Sequence, residues 1–361
     1  MNRIPGQEIV DLTLRHDVQQ QSISHCYLFT GPSGTGKTQT ALAFAQWLNC
    51  LSPLPEGACG ICRSCLKSAQ FSHPDLLFYF PESTHTDRFE ILSERIANPF
   101  SNLIPDFNAN YKIAQIKEII HQINMGLHEG QFKIVILAQA ERMNRESANA
   151  LLKSLEEPPS RTVFILTSDE PLKLLPTIKS RSRIIQFHPL NPQQITDYIH
   201  HQTIPIPISL PLMVELTRGS IGRIDRLRQF DLVQLERFCR QIIQSYSTPR
   251  YTQAVILADQ FLKLSDEEKE IVIDMLMFYI SRNLHRQLLP PDEKQELFSF
   301  PLVLNDDEVS EKLLFILDRM KYLIRRNFNL SLIFTTILIN IDKLDDIQRL
   351  VTESSGSGST F

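Results

Sequence analysis

No run of apolar residues in this 361-residue chain is long enough to cross a bilayer. The longest, residues 330–341, is interrupted by Ser331, Thr335, Thr336 and Asn340, where about 20 consecutive apolar residues would be needed. The start of the chain has no basic segment leading into an apolar core, the mark of a secretory leader. The expectation is a soluble, cytoplasmic protein without membrane contact. Positive charge is also scarce: 37 Lys and Arg stand against 41 Asp and Glu, a formal net charge of −4. That argues against a freestanding nucleic-acid binder held by bulk electrostatics, so any DNA contact must come from a local face or from partners. Glycine is sparse as well, with 12 residues, which makes any cluster of glycines informative.

Three of those glycines lie in GPSGTGKT, residues 31–38. The run completes the phosphate-loop pattern G-x-x-x-x-G-K-[ST]. Its context fits, because HCYLFT before it reads as a short apolar strand and TQTALAFAQWLN after it has helical apolar spacing. In such a loop the backbone around Gly31, Ser33, Gly34, Thr35 and Gly36 cradles phosphates at a helix N-terminus. Lys37 reaches the β- and γ-phosphates, and the Thr38 hydroxyl ligates Mg²⁺. ATP or ADP with Mg²⁺ is the cofactor expected here.

Four of the six cysteines form a second cluster, Cys50, Cys59, Cys62 and Cys65, spaced C-x8-C-x2-C-x2-C in a stretch rich in Gly, Pro and Ser. Four thiolates this close match a closed tetrahedral zinc site of the structural kind, whereas disulfides are disfavoured in a reducing compartment. Only Arg63 and Lys67 supply positive charge nearby, which favours a structural zinc over a DNA-reading one. Cys26 and Cys239 read as small core residues rather than reactive thiols.

Along the chain, strands expected at residues 25–30, 75–80, 132–137, 162–167 and 183–187 alternate with helices, including 113–125 and 145–157. Asn144 is set to cap the second of these, and Pro158 with Pro159 to end it. The continuous β-branched runs FKIVIL and TVFILT predict a parallel sheet covered on both faces, with a nucleotide at the carboxyl edge of the strands. The α/β domain is expected over residues 1–188, with the zinc module at about 49–70. A small helical lid follows at 189–230, an all-α domain at 231–352 and a flexible tail at 353–361. In the all-α part, Ser265 and Glu268 predict a capping box. A long helix near residues 306–326 carries Leu313, Ile316, Leu317, Met320, Leu323 and Ile324 as one stripe.

The phosphate loop, the four-cysteine insert after its helix, the stretch SANALLKSLEEPP at residues 147–159 and the turn Ser180-Arg181-Ser182 resemble the AAA+ clamp loader of bacterial DNA polymerase III. The similarity spans at least residues 5–230, and the helical last third looks like that family's collar. The resemblance implies a P-loop AAA+ fold with a zinc insert, a lid and an oligomerising collar. The implied partners are gamma or tau motor subunits and a clamp-opening delta subunit in a hetero-pentamer, and through them a sliding clamp and primed DNA. It also implies roles for single residues. In an active motor the strand 132–137 is followed by Asp and Glu, which support Mg²⁺ and activate water. Here those positions are Ala138 and Gln139, and losing the base alone costs about 10²- to 10⁴-fold. Glu141 is the nearest carboxylate and is expected to point elsewhere, while Glu156 and Glu157 read as solvated or structural.

Ser168 matches the first sensor position, which feels the γ-phosphate. The second sensor arginine is absent, because Gly222 follows Gly219-Ser220-Ile221 and Arg223 comes one place late. Gly6-Gln7 resembles the adenine-side segment. Arg181 corresponds to the finger that reaches a neighbouring subunit's nucleotide, a contribution of about 10³ to 10⁵ in rate, although the cysteine usual in that turn is Ser182. These features imply a stator subunit of the ring rather than a motor. Two rivals stay open: a motor ATPase using other acids, and a zinc-dependent DNA-binding module.

Overall fold

The computed structural model describes residues 6–82, 109–245, 251–285, 307–324, 333–335 and 338. The tail expected at 353–361 falls wholly outside them. The chain divides into two compact units, residues 1–204 with 217–227, and residues 205–216 with 228–361.

The first unit is built on five parallel strands: β1 (Cys26–Thr30), β2 (Leu76–Tyr79), β3 (Lys133–Leu137), β4 (Thr162–Ser168) and β5 (Arg183–Gln186). Their order is β2-β3-β4-β1-β5, so the phosphate-loop strand lies between β4 and β5. The expected β-branched runs become β3 and β4, and every residue of both is buried. Side chains alternate across the sheet. Tyr27, Phe29, Ile134 and Ile136 face a core shared with α1 (Glu8–Gln19) and α2 (Lys37–Leu48). Leu28, Val135, Leu137 and Leu166 face a second core shared with α4 (Ile113–Asn124) and α5 (Arg145–Glu156). Each fully buried Leu or Phe in these layers contributes roughly 1.5–3 kcal/mol. The edge strand β5 is exposed at Arg183, Ile184 and Gln186.

Asn144 caps α5 as expected, its side chain accepting from Ser147 N at 2.7 Å. A short helix, α3 (Arg63–Ala69), sits inside the cysteine insert, and α6 (Pro176–Lys179) precedes the turn bearing Arg181. After β5 come α7 (Pro192–His201) and, beyond the interposed helix α8 (Leu210–Thr217), α9 (Ile221–Leu227).

The second unit is helical as far as it is described: α10 (Leu232–Ser245), α11 (Tyr251–Lys263), α12 (Asp266–Leu284) and α13 (Asp307–Ile324). The capping box at Ser265 and Glu268 is present. The six-residue stripe on α13 is buried, and the Lys321–Asp274 ion pair at 3.1 Å ties α13 to α12. No helix among the described residues is long and apolar enough to cross a membrane.

Candidate functional site

The carboxyl edge of the sheet holds the phosphate loop. Thr30 ends β1 in register with Ser168, and Gly31 N donates to Ser168 O at 3.2 Å. The loop needs its glycines. At Gly31 (φ 146°) a Cβ would lie 2.3 Å from Phe187 O, and at Gly34 (φ 73°) one would lie 2.0 Å from Ser220 Oγ, approaches that no other residue allows. Gly222 N donates to Gly34 O at 3.2 Å, so the segment entering α9 rests on the loop. Ser33 is exposed, Thr35 is buried with its hydroxyl donating to Pro32 O, Gly36 is the left-handed residue before α2, and Thr38 lies half-buried in the first turn of α2.

Lys37 is the most constrained member. Only 5% exposed, it donates to Gly31 O at 2.7 Å and Pro32 O at 2.6 Å, and it pairs with Asp169 Oδ1 at 2.7 Å. Asp169 directly follows Ser168, the fully buried last residue of β4. The backbone N–H of Asp169 donates to Glu141 Oε1 at 3.1 Å. Glu141 therefore does not point elsewhere as expected: the short 3-10 turn at Ala140–Arg142 folds it back onto the loop after β4. Burial, and after it the nearby Asp169 charge, raise its pKa. Ala138 is buried in the core, and Gln139 adopts a left-handed backbone (φ 51°, ψ 55°) with its Oε1 buried and unpartnered. Neither offers a carboxylate.

The amino edge carries Arg181. Arg183 pairs in register with Tyr27 at the start of β1, so the turn containing Arg181 lies at the end of the sheet opposite the phosphate loop. Arg181 is about a third exposed. It pairs with Glu156 at 2.7 Å, at the end of α5, and donates to Thr177 O at 3.1 Å. Ser182 supports the turn from inside: its hydroxyl donates to Ile178 O at 2.8 Å and lies 3.1 Å from Cys26 Sγ. Burial pushes the Cys26 thiol up to about 12, so it stays protonated and inert. Cys239 is also buried and its pKa raised by that burial.

The cysteine cluster follows α2, which starts at the loop and runs back toward the amino edge. The four Sγ atoms lie within 4.8 Å of one another, with separations of 3.6 Å (Cys50–Cys65), 3.9 Å (Cys59–Cys65) and 4.0 Å (Cys50–Cys62). All four are free thiols, and the separations are far too long for disulfide bonds. A tetrahedron with Zn–S bonds of about 2.3 Å has edges of about 3.8 Å, so the donor set fits zinc without rearrangement. Backbone N–H groups of Cys59 and Cys62 donate to Cys50 and Cys59 sulfurs at 3.3 and 3.4 Å. The module is anchored to the sheet by the Lys67–Glu129 ion pair at 2.8 Å and by Asn49, whose Oδ1 accepts from Gln131 and Phe132.

The expected site residues thus fall at three places. Gly31, Ser33, Gly34, Thr35, Gly36, Lys37, Thr38 and Ser168 come together at the carboxyl edge, the four cysteines gather in their own module, and Arg181 stands apart at the amino edge. Asp169 and Glu156, the carboxylates that hold the two cations, do not emerge from the sequence as partners. For Asp169 a signal exists, since it immediately follows Ser168, the residue expected at the sensor position. For Glu156 there is none, because its pairing spans two connections of the sheet.

The sheet order and the glycine loop entering α2 define a P-loop AAA+ domain, here followed by a helical C-terminal region. The chain belongs to the clamp-loader family described as DNA polymerase III, delta subunit, whose family model matches residues 6–191, more than half of its length. It is 26% identical over 318 residues to the delta-prime subunit of DNA polymerase III from Bacillus subtilis, a match covering 86% of this chain and 88% of that one. It is also 31% identical over 225 residues to the tau/gamma subunit from Haemophilus influenzae, covering 61% of this chain and 29% of that relative. Among solved structures, a gamma subunit-related protein from Thermotoga maritima aligns over 94% of this chain and 99% of its own with a TM-score of 0.45 and 18% identity.

Proposed function

We propose that this chain is the delta-prime subunit of a bacterial DNA polymerase III clamp loader, a stator that binds ATP or ADP, turns it over slowly or not at all, and lends Arg181 to a neighbouring motor. The observation that carries this reading is the separation of Arg181 from its own phosphate loop by the length of the sheet. A guanidinium at the amino edge has no path to the nucleotide of its own subunit, but it is suited to a phosphate held in trans. The lack of a carboxylate at Ala138 and Gln139 agrees, since alanine offers no oxygen to Mg²⁺ and an amide does not accept a proton from water.

In this reading Gly31, Ser33, Gly34, Thr35 and Gly36 wrap the phosphates and Lys37 binds their charge. Thr38 faces the metal and Ser168 the terminal phosphate. Residues 189–230 act as the lid over the nucleotide, with Ser220 against Gly34, and residues 231–352 as the collar that joins the ring. Zinc held by Cys50, Cys59, Cys62 and Cys65 keeps the insert folded. The partners are gamma or tau motors and the clamp-opening delta subunit, acting in the cytoplasm on a sliding clamp and primed DNA.

The 31% identity to a tau/gamma subunit favours a second reading, a motor that hydrolyses ATP itself. The two separate on the purified chain alone. The stator reading expects negligible turnover, whereas a rate on the order of 1 s⁻¹, ordinary for an enzyme, selects the motor.

A further inference from the structure

Lys37 is the cation a phosphate loop offers to its ligand, yet all three of its N–H donors are engaged within the chain. Two go to the carbonyls of Gly31 and Pro32, and the third to the carboxylate of Asp169. An ammonium has only three donors, so an incoming phosphate oxygen must replace one of these partners. Asp169 is the one that carries charge. Its carboxylate lies 2.7 Å from Nζ, at the distance of a charge-assisted hydrogen bond and therefore where a phosphate oxygen on Lys37 would lie.

Asp169 is not free to drift. Its backbone is held by Glu141 Oε1 at 3.1 Å, its predecessor Ser168 is paired into β4 and accepts from Gly31 N, and the side chain itself is 24% exposed. Glu141 adds a second, mostly buried carboxyl behind it. The carboxyl edge thus supplies acid beside Lys37, on the side of Ser168, the residue that the proposed function sets against the terminal phosphate of a triphosphate. A diphosphate ends one phosphate earlier and meets this acid less closely.

We propose that Asp169 sets which nucleotide this loop accepts: as an internal anion on Lys37 it disfavours a γ-phosphate and gives the chain a preference for nucleoside diphosphate over triphosphate. The inference rests on the loop being a nucleotide site, as proposed above. Asp169 acts on binding through Lys37, so it is a positioning and specificity residue rather than a catalytic one.

The test is equilibrium binding of MgADP and MgATP, by calorimetry, to the full chain and to its Asp169→Asn variant. The wild-type chain is expected to bind ADP more tightly than ATP. Asparagine keeps the shape and removes the charge, and is expected to tighten ATP binding by about tenfold more than ADP binding, a change of about 1.4 kcal/mol. Asp169→Ser, scored the same way, covers the case in which asparagine impairs folding. If the ratio of the two dissociation constants is the same in variant and wild type, Asp169 merely swings aside and the proposal is overturned while the nucleotide site stands. If neither nucleotide binds wild type or variant, the nucleotide site itself is refuted and the proposal with it.

Discussion

Each end of the parallel sheet holds one cation against a carboxylate, Lys37 on Asp169 and Arg181 on Glu156, and the two pairs differ in how firmly they are closed. At the carboxyl edge Lys37 is 5% exposed and Asp169 24%, and two loop carbonyls complete the cage. At the amino edge Arg181 and Glu156 are 34% and 46% exposed, and exposed pairs of this kind contribute about 0–1 kcal/mol. A pair that weak opens for a better anion, so Arg181 is held in place without being withheld. The Lys37 pair is the less exposed of the two and resists opening, because any competitor must replace a carboxylate on an ammonium that is itself buried and hydrogen-bonded. One edge therefore yields its cation readily, and the other only to an anion that displaces Asp169.

The comparison breaks most readily at Arg181. Alanine at this position, in a ring reconstituted with motor and clamp-opening partners, is expected to lower ATP turnover at the neighbouring site by about 10³-fold and to slow clamp loading with it. Unchanged turnover would leave the amino edge without a chemical role. Next in size is Cys62→Ser. Losing a thiolate should release the metal, measured as zinc content, and lower the melting midpoint by on the order of 10 °C. Nucleotide binding at the far edge should change little, and a large change there would couple two ends that the length of the sheet keeps apart. A double variant, Ala138→Asp with Gln139→Glu, restores the missing acids. It is expected to raise ATP turnover of the isolated chain by roughly 10²-fold, and no gain would mean that the Asp169 and Glu141 carboxylates block the edge whatever acids are supplied. The smallest effect is Asn144→Ala, which removes the cap of α5 and should cost about 1 kcal/mol in denaturant unfolding.

Much of this is legible residue by residue. The glycine loop, the Asn144 cap, the Ser265 box, the buried β3 and β4 and the α13 stripe all rest on spacing or on neighbours a few positions apart, which sequence displays directly. The first helix, α1, escapes such a reading: its N-cap Gln7 makes no side-chain cap bond, so no start signal marks it. The placement of Glu141 escapes it too, because Gln139 takes a left-handed backbone ahead of a 3-10 turn, and no glycine or asparagine stands there to announce it.

By itself the sequence determined which chemical groups exist: a lysine on a phosphate loop, four thiols at metal-ligand spacing, an arginine in a turn, and no acid at the two positions directly after β3. Those are local patterns, fixed by the order of residues along the backbone. Only the tertiary structure decided what faces each group. Asp169 meets Lys37, and Glu156 meets Arg181, because parallel strands joined by helices bring distant segments to a common edge, and the burial at that edge determines whether a charge is held or released.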